Sequence, residues 1–416
     1  AGAAFLYAGK SACGSVPRFV VSMTMHVRRD VLEDALNDIL PLFPHLAVKI
    51  SGNGAEYRLE HDCSRVPVSQ ADTSDAGEKG KICGDGRLFA VSCGRKSIFF
   101  DVHSSLLDER GMAAFAKAVA FRYIQLYGLP VANDGSVRAV SDGGSLNVST
   151  EDPLELVRDI PASRPVWYMD AKAFSIPSSE SESCFVTQVR IPVGRLRAPA
   201  REYAGTPVTF ISPLVSHAVY EEFGEEMSPG EYVVAAVTVN LRQHFPTLSL
   251  RPFCTSVNLA YNRRLGDYPF NTILMSQKKF LEAQLKPDAL AYNVQCRIAS
   301  MEEVMDAGDA EARMRRSDEV LAHKAAASTY MIRDAGMVSM PESLSRYITE
   351  FYPVYAPDLH DFTLSSVIFR NEIVLTVAQK RGRSLGRRIV ELMNANGVIS
   401  HVSDEFEFIP GSYRKP

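Results

Sequence analysis

The chain has 416 residues, 46 % of them hydrophobic and 23 % charged, and carries a formal net charge of −4. That content suffices to bury substantial cores in one large domain or two, while the absence of a basic field argues against nucleic acid as a partner. Seven cysteines lie scattered, without the paired spacing of a zinc site or a disulfide framework, and read as free thiols of a reducing compartment. No run of ~18 apolar residues spans a bilayer and no signal-peptide pattern opens the chain, so a cytoplasmic protein with no membrane span is expected.

In chain order, Arg18 to Met25 reads as a strand. Arg29 to Leu42 follows with apolar residues at Val31, Leu32, Ala35, Leu36, Ile39 and Leu40, the stripe of a helix that Pro41 and Pro44 must end. Ala47 to Ile50 and Glu56 to Glu60 suggest a hairpin around Ser51-Gly52-Asn53-Gly54. Leu88 to Cys93 and Ser97 to Ser104 form a second strand pair, and a helix over Gly111 to Tyr127 is stopped by Gly128 and Pro130.

Ala132 to Arg164, rich in Ser, Gly, Asp and Pro, is expected to be a crossover linker. The second half repeats the theme: strand Ser183 to Pro192, helix Phe210 to Phe223, strand Tyr232 to Asn240, then helices Asn271 to Lys286 and Ser300 to Ala322. Strands near Ser328 to Ile332, Asp361 to Arg370 and Glu372 to Gln379 precede a helix Ser384 to Asn396 and a final strand Val398 to Val402. The expected division is residues 1–131, a linker 132–165, and 166–416.

Phe100-Asp101-Val102-His103-Ser104-Ser105-Leu106-Leu107-Asp108-Glu109-Arg110-Gly111, at a strand end before a helix, resembles the HHxxxDG region of the CoA-dependent acyltransferases, which include chloramphenicol acetyltransferase and peptide-synthetase condensation domains. Val237 to Arg242, His244-Phe245-Pro246 and Ser249 to Phe253 resemble the PVNLR, FPS and LRNF run of the bacterial alcohol acetyltransferases. Gly205 to Thr209 and Gly336 to Pro341 match weaker landmarks in the expected order. The resemblance implies an α/β fold of two chloramphenicol-acetyltransferase-like lobes, each an α+β two-layer sandwich, with a channel between them. It also implies acyl transfer from a CoA thioester, as co-substrate and not as a permanently bound cofactor, to a small alcohol, amine or thiol.

In that family the second histidine of the motif is the general base, a task suited to an imidazole whose pKa lies near operating pH. The gapless register puts His103 on the first histidine and Ser104 on the second. In a strand the two side chains point to opposite faces, and a serine hydroxyl at neutral pH is no base. An inserted residue would instead make His103 the catalytic histidine.

Further departures are Glu109 for the motif glycine, Pro252 for the LRNF asparagine, and Arg333-Asp334 for the usual Ser-Asn. By resemblance, Asp108 supports the site loop through an arginine, Arg242 or Arg251, and Asn240 and Gly336 lie at the channel or support it. Three functions remain open at this point: an acyl-CoA-dependent acyltransferase, a catalytically impaired pseudoenzyme that binds or partners, and a free-standing condensation-like domain fed by a separate carrier protein. The histidines show no metal-binding spacing, and Lys380 to Arg388 reads as a solvated helix start in preference to a phosphate patch.

Overall fold

The computed structural model describes residues 4–7, 16–52, 57–71, 86–140, 151–165, 172–177, 179, 181, 183–203 and 205–409. The chain opens with strand β1 (Arg18–Met23) and helix α1 (Arg29–Ile39), which buries Val31, Leu32, Ala35, Leu36 and Ile39, the stripe read from the sequence. Hairpin β2 (Val48–Gly52) and β3 (Tyr57–His61) follows, with turn residues 53–56 outside the described set. Next come β4 (Val68–Gln70), β5 (Phe89–Cys93), β6 (Ser97–Val102) and α2 (Glu109–Leu126).

The remainder comprises β7 (Lys172–Ala173), β8 (Cys184–Pro192), α3 (Arg197–Glu202), α4 (Pro207–Phe223), β9 (Glu231–Asn240), β10 (Cys254–Tyr261), α5 (Arg263–Gly266) and α6 (Phe270–Gln284). After these lie α7 (Pro287–Asp306), α8 (Ala310–Ala325), β11 (Tyr330–Met337), α9 (Glu342–Ser345), β12 (Ile348–Val354), β13 (Phe362–Phe369), β14 (Glu372–Gln379), α10 (Leu385–Ala395) and β15 (His401–Phe408).

Two large sheets organise these elements, with the β2–β3 hairpin standing as a separate two-stranded sheet. The first runs β12-β1-β6-β5-β4; the second runs β10-β9-β11-β13-β14-β8-β15, with β7 beside β9. Strand pairing crosses the expected division of the chain, because β12, from the C-terminal segment, pairs antiparallel with β1 at the edge of the first sheet. A shared apolar cluster joins the sheets, bringing Val20, Phe99 and Tyr352 of the first against Val186, Val367 and Val374 of the second. Arg18 and Asp101, opposite each other in the β1–β6 register, form a buried two-point ion pair with both contacts at 2.9 Å. The Arg18 guanidinium also lies over Phe99 and over Phe408 of β15, so one buried cation touches both sheets.

Several sequence expectations change. The helix read over 300–322 is two helices, broken where Gly308 takes φ +63 and Asp309 caps α8 by accepting from the Ala312 N–H. The last strand begins at His401 and runs to Phe408, because Gly397 at φ +79 ends α10 and Val398 is drawn into the core instead. Strands β4, β7, β10 and β12 escape the sequence reading; β7 has two residues, β12 carries Pro353 and β10 buries only alternate residues late in its run.

The described part of the linker is packed. Leu154 and Val157 bury against Leu290, Val294 and Ile298 of α7, and the Gln295 amide donates to carbonyls of the 157–160 segment. At the sheet edge, Gln284 both accepts from the Asn258 N–H and donates to its carbonyl, covering an exposed backbone pair of β10.

Candidate functional site

The strand β6 ends at Val102 and its next residue turns inward. His103 is buried, its backbone N–H donates to the Leu88 carbonyl, and its carbonyl accepts from Leu106 in a tight turn. The Ser105 N–H donates to His103 Nδ1 at 3.2 Å, and Ser105 Oγ lies 2.7 Å from the same nitrogen. A backbone N–H can only donate, so Nδ1 is the acceptor and the neutral ring carries its proton on Nε2. Burial pulls the imidazole down to about 4. Ser104, one residue on, is exposed on the turn. The strand read to Ser104 from the sequence stops at Val102, and the turn that follows it, not strand alternation, separates the two motif positions, with the imidazole inside and the hydroxyl outside.

Asp108 closes the turn. Its Oδ1 accepts from the Gly111 N–H at 2.8 Å and caps α2, while Oδ2 accepts from Arg242 Nη1 at 2.6 Å and from the Phe253 N–H at 2.9 Å. Arg242 is itself held: Nε donates to the Ser249 carbonyl, Nη2 to the Arg251 carbonyl at 2.7 Å, and Nη1 also reaches Asn240 Oδ1 at 3.3 Å. Asn240 accepts from the Arg242 N–H as the cap of the 241–243 turn. Arg242 is therefore the arginine that meets Asp108, whereas Arg251 stands 3.9 Å from Asp152 and contributes its carbonyl.

Gly111 is required by this contact, because a Cβ there would lie 2.5 Å from the Leu250 carbonyl oxygen. The start of α2 is thereby pressed against the 249–253 segment that follows β9.

Glu109, at the motif glycine position, is buried, and burial pushes its carboxyl up. Its Oε1 lies 3.5 Å from Arg333 Nη1, and Arg333 also stands 4.0 Å from Asp358 and over the Tyr355 ring. Asp334, beside it, accepts from the Gly336 N–H and from Ser366 Oγ. Gly336 adopts φ +66 with the Arg110 guanidinium packed against it, and Arg110 donates to the Met337 carbonyl at 3.0 Å.

These contacts join Asp108, Asn240, Arg242 and the Arg251 carbonyl in one network; His103 and Ser104 lie on the turn that leads into it, and Gly336 meets Arg110, two residues beyond Asp108. Sequence reasoning missed the Glu109–Arg333–Asp358 group; Glu109 and Arg333 stood out as departures, but nothing in their spacing joined them.

Other candidates lie elsewhere. His244 sits on the loop after the 241–243 turn, its N–H donating to the Leu241 carbonyl, and burial lowers its imidazole. Of the arginines around residue 384, Arg387 meets Glu405, Arg388 meets Glu221 and Glu391, and Arg381 meets Glu226, while Arg383 lies over the Phe185 ring. Arg383, Arg387 and Arg388 line a recess of about 950 Å³ together with Glu221, Glu222, Glu391 and Glu405, so its walls are mixed in charge. Among the described residues no group of three or more His, Cys, Asp or Glu is placed to hold a metal ion, and no helix is long and apolar enough to cross a membrane. Cys63, Cys93, Cys184, Cys254 and Cys296 are free, while Cys13 and Cys83 lie outside the described residues.

No protein-family model matches the sequence, and no curated protein matches it. Solved structures do match its fold. F. sporotrichioides TRI101, solved with coenzyme A and T-2, superposes with a TM-score of 0.62 at 8 % identity over 96 % of this chain and 98 % of its own. The epimerization domain from the third module of tyrocidine synthetase B gives 0.59 at 10 % identity, over 93 % and 91 %. Polyketide synthase associated protein 5 from Mycobacterium tuberculosis gives 0.58 at 12 % identity, over 91 % and 92 %. The chain shares its two-lobed α/β fold with these three structures.

Proposed function

We propose that this protein binds an acyl thioester and a small acceptor at the junction around residues 103–111, and that it is a catalytically impaired acyltransferase. Two α/β lobes meeting at this junction support the binding half of the reading. One observation carries the other half: the only imidazole of the motif is buried with Nδ1 occupied, while the exposed position holds Ser104. In acyl transfer, the acceptor oxygen attacks the thioester carbonyl, the C–S bond breaks and the acceptor's proton must leave. A serine hydroxyl donates a hydrogen bond to the developing oxyanion but does not take that proton. Loss of a positioned base lowers such a rate by about 10²–10⁴-fold. Asp108 is a positioning residue here, holding the turn through Arg242 and the start of α2.

Coenzyme A is the donor carrier to test first, since the TRI101 structure contains it. The synthetase-domain neighbours favour a second donor, an acyl group on a carrier protein. Alcohol acetyltransfer remains the reading of the sequence blocks at 237–253. Titration of the purified protein with acetyl-CoA and with an acylated carrier protein decides between donors. Release of free thiol with an alcohol present then measures turnover in wild type, Ser104→His and His103→Ala. The proposal expects thioester binding, slow turnover in wild type, little change in His103→Ala and a gain in Ser104→His. Fast wild-type turnover abolished by His103→Ala overturns it.

A further inference from the structure

Three cations close on the residues that leave β11. Arg110, in the first turn of α2, donates from Nη1 to the Met337 carbonyl at 3.0 Å, and a Cβ at Gly336 would lie 2.9 Å from its Nη2, so the glycine makes room for the guanidinium. Lys117 stands two turns further on the same face of α2 and donates to the Ser339 carbonyl at 2.7 Å and to that of Ser136. Arg197, which opens α3, approaches the same Met337, its Nη2 3.8 Å from Sδ. Met337 and Ser339 are exposed. Since α2 packs in the core of the first sheet and α3 in that of the second, the two arginines reach one methionine from different cores.

In each of these contacts a charged donor meets a neutral oxygen or sulfur. Asp334 and Asp134, the acids whose charge acts on Arg110 and Lys117, are occupied by the Gly336 N–H and Ser366 Oγ and by the Ser136 N–H. Among the described residues none of the three cations is in ion-pair contact with a carboxylate, and each arginine keeps N–H donors beyond the one nitrogen used here. The patch borders the 103–111 turn, because Arg110 is two residues beyond Asp108.

We propose that Arg110, Lys117 and Arg197 take up a phosphate ester of the thioester donor at the edge of the junction. This inference rests on the reading of that junction as a thioester site and names the feature of the donor that the protein selects. The phosphate is either the 4′-phosphate shared by coenzyme A and the pantetheine arm of a carrier protein, or a nucleotide phosphate of coenzyme A alone. Two guanidinium forks match the oxygens of a phosphate, and the lysine supplies a third charge on a flexible stem.

The test is calorimetric titration of the full chain at two salt concentrations with acetyl-CoA, acetyl-4′-phosphopantetheine, acetyl-pantetheine and inorganic pyrophosphate. Wild type is compared with Arg197→Met and Lys117→Met; Arg197 is exposed, so its replacement leaves both cores intact and its result decides. The expected result is that a phosphorylated thioester binds wild type at least about 10-fold more tightly than acetyl-pantetheine, weakens with salt, and loses about 10-fold in each variant, while acetyl-pantetheine is unchanged. A loss shared by acetyl-CoA and acetyl-4′-phosphopantetheine supports the site and assigns it to the 4′-phosphate; a loss confined to acetyl-CoA supports it and assigns it to the nucleotide phosphates. If the thioesters bind wild type with equal affinity, or bind Arg197→Met as tightly as wild type, the phosphate site is overturned while the thioester reading stands. If no thioester binds but pyrophosphate does and depends on Arg197, the phosphate site stands and the thioester reading fails. Binding of none of the four probes overturns both.

Discussion

Asp108 and Arg242 meet at 2.6 Å across the junction of the two sheets, one from the turn that starts α2 and the other from the segment that leaves β9. Every oxygen of Asp108 and all three nitrogens of the Arg242 guanidinium have partners, so the pair ties a helix cap, a strand exit and a return loop into one network. Removing one member leaves the other buried without its counter-charge. Arg242→Met and Asp108→Ala are each expected to cost about 3–5 kcal/mol in denaturant unfolding. A loss below about 1 kcal/mol would show that the network is not a structural latch.

A methyl group at Gly111 has nowhere to go. Gly111→Ala forces its Cβ against the Leu250 carbonyl and the Leu107 side chain, and is expected to cost about 1–3 kcal/mol through displacement of the 249–253 segment. Thermal unfolding of the variant measures it, and an unchanged midpoint would mean the two segments separate freely.

The buried cross-strand pair Arg18–Asp101 has a different expected signature. Arg18→Met alone strands a buried carboxylate and is expected to cost about 3–5 kcal/mol, whereas Arg18→Met combined with Asp101→Leu should recover most of that loss. A double variant as unstable as the single would point to the Phe99 and Phe408 contacts of the guanidinium as the dominant contribution.

Stability should fall in mild acid. Burial lowers both His103 and His45 to about 4, and the His45 ring nitrogens are buried without hydrogen-bond partners. The unfolded chain takes up these protons near pH 6.5 and the folded chain does so only near pH 4, so stability is lost as pH falls through that window. Each ring contributes about 3 kcal/mol between pH 7 and pH 4. Urea unfolding at pH 7 and pH 4.5 checks the direction, and His103→Gln should show a shallower fall than wild type. Equal slopes would remove His103 from the account.

Much of this protein is legible in its order of residues, because local periodicity is a property of neighbours. The stripe of α1, the β5–β6 pair, the Gly128 stop after α2 and the β13–β14 pair all appear where apolar spacing and turn residues put them. The motif around Asp108 was equally readable; the strand expected to carry His103 and Ser104 to opposite faces ends at Val102, and the turn after it sets one inside and the other outside. Tertiary structure alone decided the rest. It chose Arg242 over Arg251 as the partner of Asp108, since the two lie nine residues apart and only the path of residues 249–253 decides that one offers its guanidinium and the other its carbonyl at that point. It added β12 to the first sheet, far from β1 in the chain, and it set Glu109 at the start of α2 against Arg333 of β11. Contacts between residues hundreds of positions apart leave no trace in local spacing; they exist only once two sheets have buried a common core.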